Sequence, residues 1–164
     1  MIRKAQIKDA SKIHRLINSF AKLDLMMPRS LNEIYENIRD FWVSLDKNNK
    51  LIGCVALHIV GWDNLAEIRS LAVEKKYQKK GEGRLLIQAC LEEAVDLHID
   101  RVFALSYKPK FFKKFGFTII DKAKLPHKVW AECSNCPKFP DCNEIGLIKK
   151  LYPAAKKPRH SGYV

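Results

Sequence analysis

The stretch from Leu65 to Leu97 constrains this chain more than any other. A strand-like run, Leu65 to Val73, leads through Gln78-Lys79-Lys80-Gly81-Glu82-Gly83-Arg84 into a predicted helix, Gly83 to Leu97. One face of that helix carries Leu86, Ala89, Cys90, Ala94 and Leu97. Nowhere else do glycines coincide with a strand-to-helix crossing. A pyrophosphate bound there needs several backbone N–H groups converging on it, and residues without side chains let its oxygens come close. The helix N-terminus adds partial positive charge, and Lys79, Lys80 and Arg84 add full charges. A solvated glycine turn is the alternative reading of an isolated Gly-x-Gly. Two other phosphate loops are excluded. Gly83 is followed by Arg84-Leu85 rather than Lys-Ser/Thr, and Leu86 stands where a dinucleotide fold needs its third glycine.

The rest of the chain supplies a mixed α/β frame. Ile2 to Gln6 reads as a strand, and Asp9 is placed to cap a helix with Ile13, Leu16, Ile17 and Phe20 on one face. Met26-Met27-Pro28 breaks that pattern. Ser30-Leu31-Asn32-Glu33 has the form of a capping box, and its helix is predicted to reach about Asp40. Phe41 to Leu45, Leu51 to Val60 and Leu65 to Val73 form a meander, with turns at Asp46 to Lys50 and Gly61 to Asn64. Arg101 to Leu105 is a strand and Lys108 to Phe115 a short helix stopped by Gly116. Phe117 to Ile120 and Glu144 to Leu151 are the last strands. The predicted order is β-α-α-β-β-β-α-β-α-β-β, one domain over residues 1–152 followed by a loose basic tail at 153–164.

The 164 residues hold 30 Lys and Arg against 18 Asp and Glu, a net charge of +12. That balance suits an anionic partner, whether nucleic acid, a nucleotide cofactor or an acidic metabolite. No apolar run approaches the ~20 residues of a membrane span, and the charged start leads into no signal-peptide core. Five cysteines without an export signal point to a reducing, cytoplasmic setting.

Gln78-x-x-Gly81-x-Gly83 after Leu71-Ala72-Val73 resembles the acetyl-CoA loop of the GNAT acyltransferases. Phe111-Phe112-Lys113-Lys114-Phe115-Gly116-Phe117 is similar to the aromatic helix and Gly-Phe turn that closes that fold. The resemblance covers most of the chain. It implies a mostly antiparallel sheet flanked by helices, in which the strand at Leu65 to Val73 splays from the one at Arg101 to Leu105. It also implies that Leu71, Ala72 and Val73 offer main-chain groups to the pantetheine arm, that Gln78 to Arg84 hold the pyrophosphate, and that the chain can pair as a homodimer. Pro28-Arg29-Ser30, Gly53-Cys54-x-Ala56-Leu57-His58, Ala66-Glu67-Ile68-Arg69-Ser70 and Leu125-Pro126-His127-Lys128 narrow it further. Together they resemble the acetyltransferase module of bacterial N-acetylglutamate synthases, which acetylates L-glutamate as the first step of arginine synthesis. Longer members of that group carry an arginine-binding, kinase-like domain. Nothing in these 164 residues corresponds to it, so feedback inhibition by that route is not expected.

Acyl transfer to an amine needs a neutral amine, an oriented thioester, help for the oxyanion and a proton for the leaving thiolate. Glu67 is the candidate base; by strand alternation it is predicted to share a face with Arg69 and Leu71. A salt bridge to a neighbouring cation is its structural alternative. Phe112 stands where many GNAT enzymes have a tyrosine, so Tyr107 is the candidate acid, with Ser106 or solvent as substitutes. A small acidic acceptor needs cations, for which Arg29, Arg69 and Lys128 are candidates. Cys133-x-x-Cys136-x5-Cys142, with His127 nearby, has the makings of a structural zinc site in a Cys-rich loop at 127–143; a packed reduced loop is the alternative. Cys54 and Cys90 read as core. Other acceptors (another amino acid, a small amine or a protein amine) stay open. So do a basic nucleic-acid-binding module, although no recognised DNA or RNA motif is present, and a CoA-binding sensor without turnover.

Overall fold

Leu51 to Leu57 is apolar without alternation, as a strand covered on both faces should be. The computed structural model describes residues 1–61, 64–125 and 132–152, and there this run lies mid-sheet. The elements are β1 (Ile2–Lys4), α1 (Ala10–Ala21), α2 (Leu31–Glu36), β2 (Phe41–Leu45), β3 (Leu51–Val60), β4 (Leu65–Val73), α3 (Glu82–Asp96), β5 (Arg101–Ser106), α4 (Pro109–Lys113), β6 (Thr118–Ile119) and β7 (Ile145–Lys150). They follow the expected order. The strands form one sheet, β1-β2-β3-β4-β5-β7-β6. Only β4–β5 is parallel, and α3 is the crossover that a parallel pair requires. The tail at 153–164 lies outside the described residues. Among those described, no helix is long and apolar enough to cross a membrane.

Two cores sandwich the sheet. On one face Ile13, Leu16 and Ile17 of α1 and Ile34 of α2 pack on Val43, Cys54, Ala56 and Ala72. On the other, Leu86, Ile87, Cys90 and Ala94 of α3 pack on Val55, Leu57, Ile68, Val73, Val102 and Ala104, with Phe112 and Phe117.

Several local expectations change. Asp9 does not cap α1 with its side chain. It is buried, accepts from the Gln6 N–H at 2.8 Å and pairs with Arg3 at 2.7 Å. Ser30 does accept from the Glu33 N–H at 3.1 Å, but the Glu33 carboxylate turns to Arg29 instead of closing the box. α2 stops at Glu36, and a separate 3-10 turn, Ile38–Asp40, leads into β2.

The largest correction concerns β4. Cys54 faces Ala72 and Ala56 faces Arg69, so Val55 alone opposes both Ser70 and Leu71. This is a β-bulge, and Ser70 takes a φ of +56° within it. The extra residue inverts the alternation. Upstream, Ile68 faces α3, so Glu67 and Arg69 face the α1 side; downstream, Ala72 faces α1 and Val73 faces α3. Leu71 therefore packs with the α3 core and does not share a face with Glu67.

Candidate active site

β4 and β5 pair only from Leu65–Arg101 to Glu67–Phe103. Beyond that they diverge, and a cavity of about 870 Å³ opens along the gap. Its two ends differ in chemistry.

At the loop end, the cavity is lined by Leu71, Ala72, Val73, Gln78, Lys79, Gly81, Gly83 and Arg84. Glu74 N–H donates to Ile52 C=O across the β3–β4 pair at 2.8 Å. By alternation the main-chain groups of Val73 and Leu71 face away from β3, into the gap. The Val73 carbonyl accepts from Gln78 Nε2 at 2.9 Å, which ties the loop to the strand end. Lys79 (φ +61°) and Gly81 (φ +94°) both adopt the left-handed region that curls a loop into a nest of amides. Gln78 N–H is engaged with Lys75 C=O at 3.2 Å. Among the described residues nothing accepts from the amides of Lys79, Lys80, Gly81, Glu82, Gly83 and Arg84. Two predicted residues send their side chains elsewhere. Lys80 lies over the Tyr77 ring at 5.6 Å, and the Glu82 carboxylate accepts from the buried Ser44 hydroxyl, anchoring α3 to β2.

At the other end, on the α1 side of the sheet, Glu67, Arg69, Arg29 and His58 gather. Arg29 is held by its own main chain: Asn18 Nδ2 donates to Arg29 C=O at 2.9 Å, and Asn18 Oδ1 accepts the Arg29 N–H at 3.3 Å. Its side chain pairs with Glu33, while its buried Nε has no partner among the described residues. Arg69 donates to both oxygens of Glu132, at 3.0 and 3.3 Å. The second oxygen of Glu132 lies 3.9 Å from Arg29 Nη2, so two guanidinium groups share one carboxylate. Glu67 stands 3.9 Å from Arg69, only 14% exposed. Burial pushes the Glu67 carboxyl up to about 7, against the pull of Arg69, Arg29 and His58. Tyr107 is at the rim, where its hydroxyl oxygen accepts from Lys138 Nζ at 2.8 Å.

A strand pair that splays over a buried carboxylate, beside a loop of unengaged amides, is the arrangement implied by the sequence resemblance. Residues 7–117 match the Acetyltransferase (GNAT) family. The chain belongs to that family. This GNAT acetyltransferase is 40% identical over 150 residues to an uncharacterized N-acetyltransferase of Chlorobaculum tepidum, covering 92% of this chain and 96% of that one. It is 33% identical over 164 residues to an amino-acid acetyltransferase of Mycobacterium tuberculosis, covering 99% and 90%. The N-acetylglutamate synthase of Neisseria gonorrhoeae, solved with coenzyme A and N-acetyl-glutamate, superposes with a TM-score of 0.84 at 27% identity. That match covers 93% of this chain and 35% of the other.

The zinc expectation is not supported. Among the described residues, no three His, Cys, Asp or Glu side chains are grouped to hold a metal ion. Cys136 Sγ lies 3.1 Å from Met27 Sδ, and Cys142 Sγ lies 3.9 Å from Glu144. Burial pushes the Cys133 thiol up, and nearby Glu67 and the other two thiols push it the same way. Cys133, Cys136 and Cys142 of this acetyltransferase line the cavity instead. Cys54 and Cys90 are core, as expected, and burial takes the Cys54 thiol to about 12. Lys128 and His127 lie outside the described residues. The sequence reading missed Glu132, Asn18 and His58. The last was accessible: a turn joining Val60 to Leu65 sets His58 opposite Glu67.

Proposed function

We propose that this GNAT acetyltransferase moves the acetyl group of acetyl-CoA to the α-amine of L-glutamate. The carrying observation is the carboxylate of Glu132, shared by Arg29 and Arg69 inside the cavity. An acceptor carboxylate that displaced Glu132 would meet the same two guanidinium groups, and its entry would give the unpartnered Arg29 Nε an acceptor. The product would then be N-acetyl-L-glutamate, the first intermediate of arginine synthesis by the resemblance noted above.

In this reading the amides of residues 79–84, with Lys79 and Arg84, take the pyrophosphate. The main chain of Leu71 and Val73 meets the pantetheine arm and aims the thioester into the gap. Glu67 removes a proton from the acceptor ammonium, directly or through a water. A carboxyl that titrates near neutrality suits that task, because most α-ammonium groups are still charged there. The freed amine attacks the thioester carbon, the C–S bond breaks, Tyr107 protonates the thiolate, and the second proton that the nitrogen loses returns through water to the tyrosinate. Its hydroxyl oxygen already accepts from Lys138, which leaves its own proton free to donate.

A monocarboxylate acceptor such as glutamine is the second reading, and one observation favours it: the two guanidinium groups converge on a single carboxylate. The deciding experiment incubates the protein with acetyl-CoA and single amino acids and follows free CoA. Release with glutamate well above glutamine supports the first reading. No release with glutamate above background removes it.

A further inference from the structure

The geometry points to His58, oriented by Asp40, as the outlet through which the proton collected by Glu67 leaves the site. The inference rests on the proposed role of Glu67 as base. His58 is the residue directly opposite Glu67 across the β3–β4 pair, so the two side chains leave neighbouring strands on the same face. His58 Nδ1 lies 2.6 Å from Asp40 Oδ2. An ionised carboxylate can only accept, so Nδ1 carries the hydrogen, and in the neutral ring Nε2 keeps a free lone pair. Asp40 is positioned for this by the 3-10 turn that ends α2's connection to β2.

Glu67 has a problem that His58 solves. Its side chain is 14% exposed, and acetyl-CoA and acceptor would cover it further. A proton taken from the ammonium must leave before the next turnover. His58 also lines the cavity, but 27% of its side chain is exposed. The step balances simply: the Glu67 O–H passes its proton to Nε2, giving a carboxylate and an imidazolium, and the imidazolium releases it to water. Asp40 stabilises the imidazolium while it exists. Imidazole is the side chain whose charge changes most readily near neutral pH, and burial brings Glu67 into that range. The other charges about the pair are Arg69 on the same strand, Arg29 ahead of α2, and Glu132 between those arginines.

Three variants of the full chain test this. His58→Gln should lower kcat by on the order of a hundredfold, with the acetyl-CoA dissociation constant unchanged, and added imidazole should restore much of it. Its acid limb should move to higher pH, since a ring that favours the Glu67 carboxylate once it holds the proton is gone. Asp40→Asn, which keeps the ring but frees its tautomer, should fall between wild type and His58→Gln. A His58→Gln kcat within twofold of wild type overturns the inference; so does a deficit that imidazole leaves untouched with the limb unmoved. A second readout needs no turnover. The His58 ring is titrated by NMR in wild-type and Glu67→Gln protein. Different midpoints are expected of coupled neighbours, and equal midpoints overturn the relay. If wild type acetylates no amino acid, the acceptor reading falls, and this titration still decides the coupling.

Discussion

Glu67 carries a conflict between stability and chemistry. In the unfolded chain its carboxyl ionises near 4.5, and in the fold near 7. The raised value means that burial opposes the charged form. The folded state is favoured relative to the unfolded one below about 4.5, and that advantage is lost as pH rises toward 7. Above 7 the buried charge costs about 3 kcal/mol. Glu67→Gln is therefore expected to raise the melting temperature at pH 8 and to change it far less at pH 5, while cutting turnover on the order of a hundredfold or more. Calorimetry at the two pH values checks the first half; equal gains at both would remove charge burial as its cause. As the proposed base, the same carboxyl is expected to give wild-type turnover an acid limb near pH 7, read from a pH profile of kcat. Arg29 belongs to the same scale. Asn18 fixes its main chain at two points, so Arg29→Ala removes a placed guanidinium rather than a roaming one. It should raise the acceptor KM at least tenfold and leave the acetyl-CoA KM within about twofold, since charge-assisted pairs contribute about 1.5–3 kcal/mol. Equal effects on both would refute its role.

At the scale of elements, the loop before α3 is preorganised by two left-handed residues. Gly81 meets no atom within 4 Å of an added Cβ, so crowding does not explain it; its φ of +94° does. Gly81→Ala is expected to cost about 1–2 kcal/mol of stability and to weaken CoA binding by roughly tenfold, measured by calorimetric titration. Unchanged affinity would show that the nest is not the pyrophosphate site. The elements themselves were legible from periodicity. Leu86, Cys90 and Ala94 announced α3, and Leu51 to Val60 announced β3 as a strand of the meander. The caps were less so. Ser30 behaved as its type suggests, whereas Asp9 and Glu33 were captured by arginines that local spacing does not reveal. The bulge at Ser70 left no trace in composition, because an inserted residue there looks like any other strand residue. Glu132 was hidden for another reason: it reaches Arg69 across 63 positions from a short helical turn that no periodicity announced.

For the whole molecule, net charge matters more than any single lysine. Thirty cationic side chains on a chain of 164 set up a field that draws in a polyanionic cofactor. The kcat/KM for acetyl-CoA should fall several-fold between roughly 20 mM and roughly 300 mM salt, with kcat little changed. A salt-independent kcat/KM would confine the cofactor's attraction to short-range contacts. Molecular scale also explains why the family was readable from the sequence and the acceptor was not. The proposed donor half is built from contiguous residues, 71 to 84, that fold locally. The proposed acceptor half is assembled from Arg29, His58, Glu67, Arg69 and Glu132, which only the closed fold brings together.

One surplus residue makes that division possible. Ahead of Ser70, β4 shows the cavity its side chains, Glu67 and Arg69; behind it, Leu71 and Val73 turn inward and leave the bare backbone on show. A deletion of three nucleotides at this serine would restore a regular ladder and force a choice. Either two charged groups would be driven against Leu86 and Ile87, or Leu71 and Val73 would be expelled from beneath α3. Position 70 can thus change a small side chain more cheaply than it can be lost.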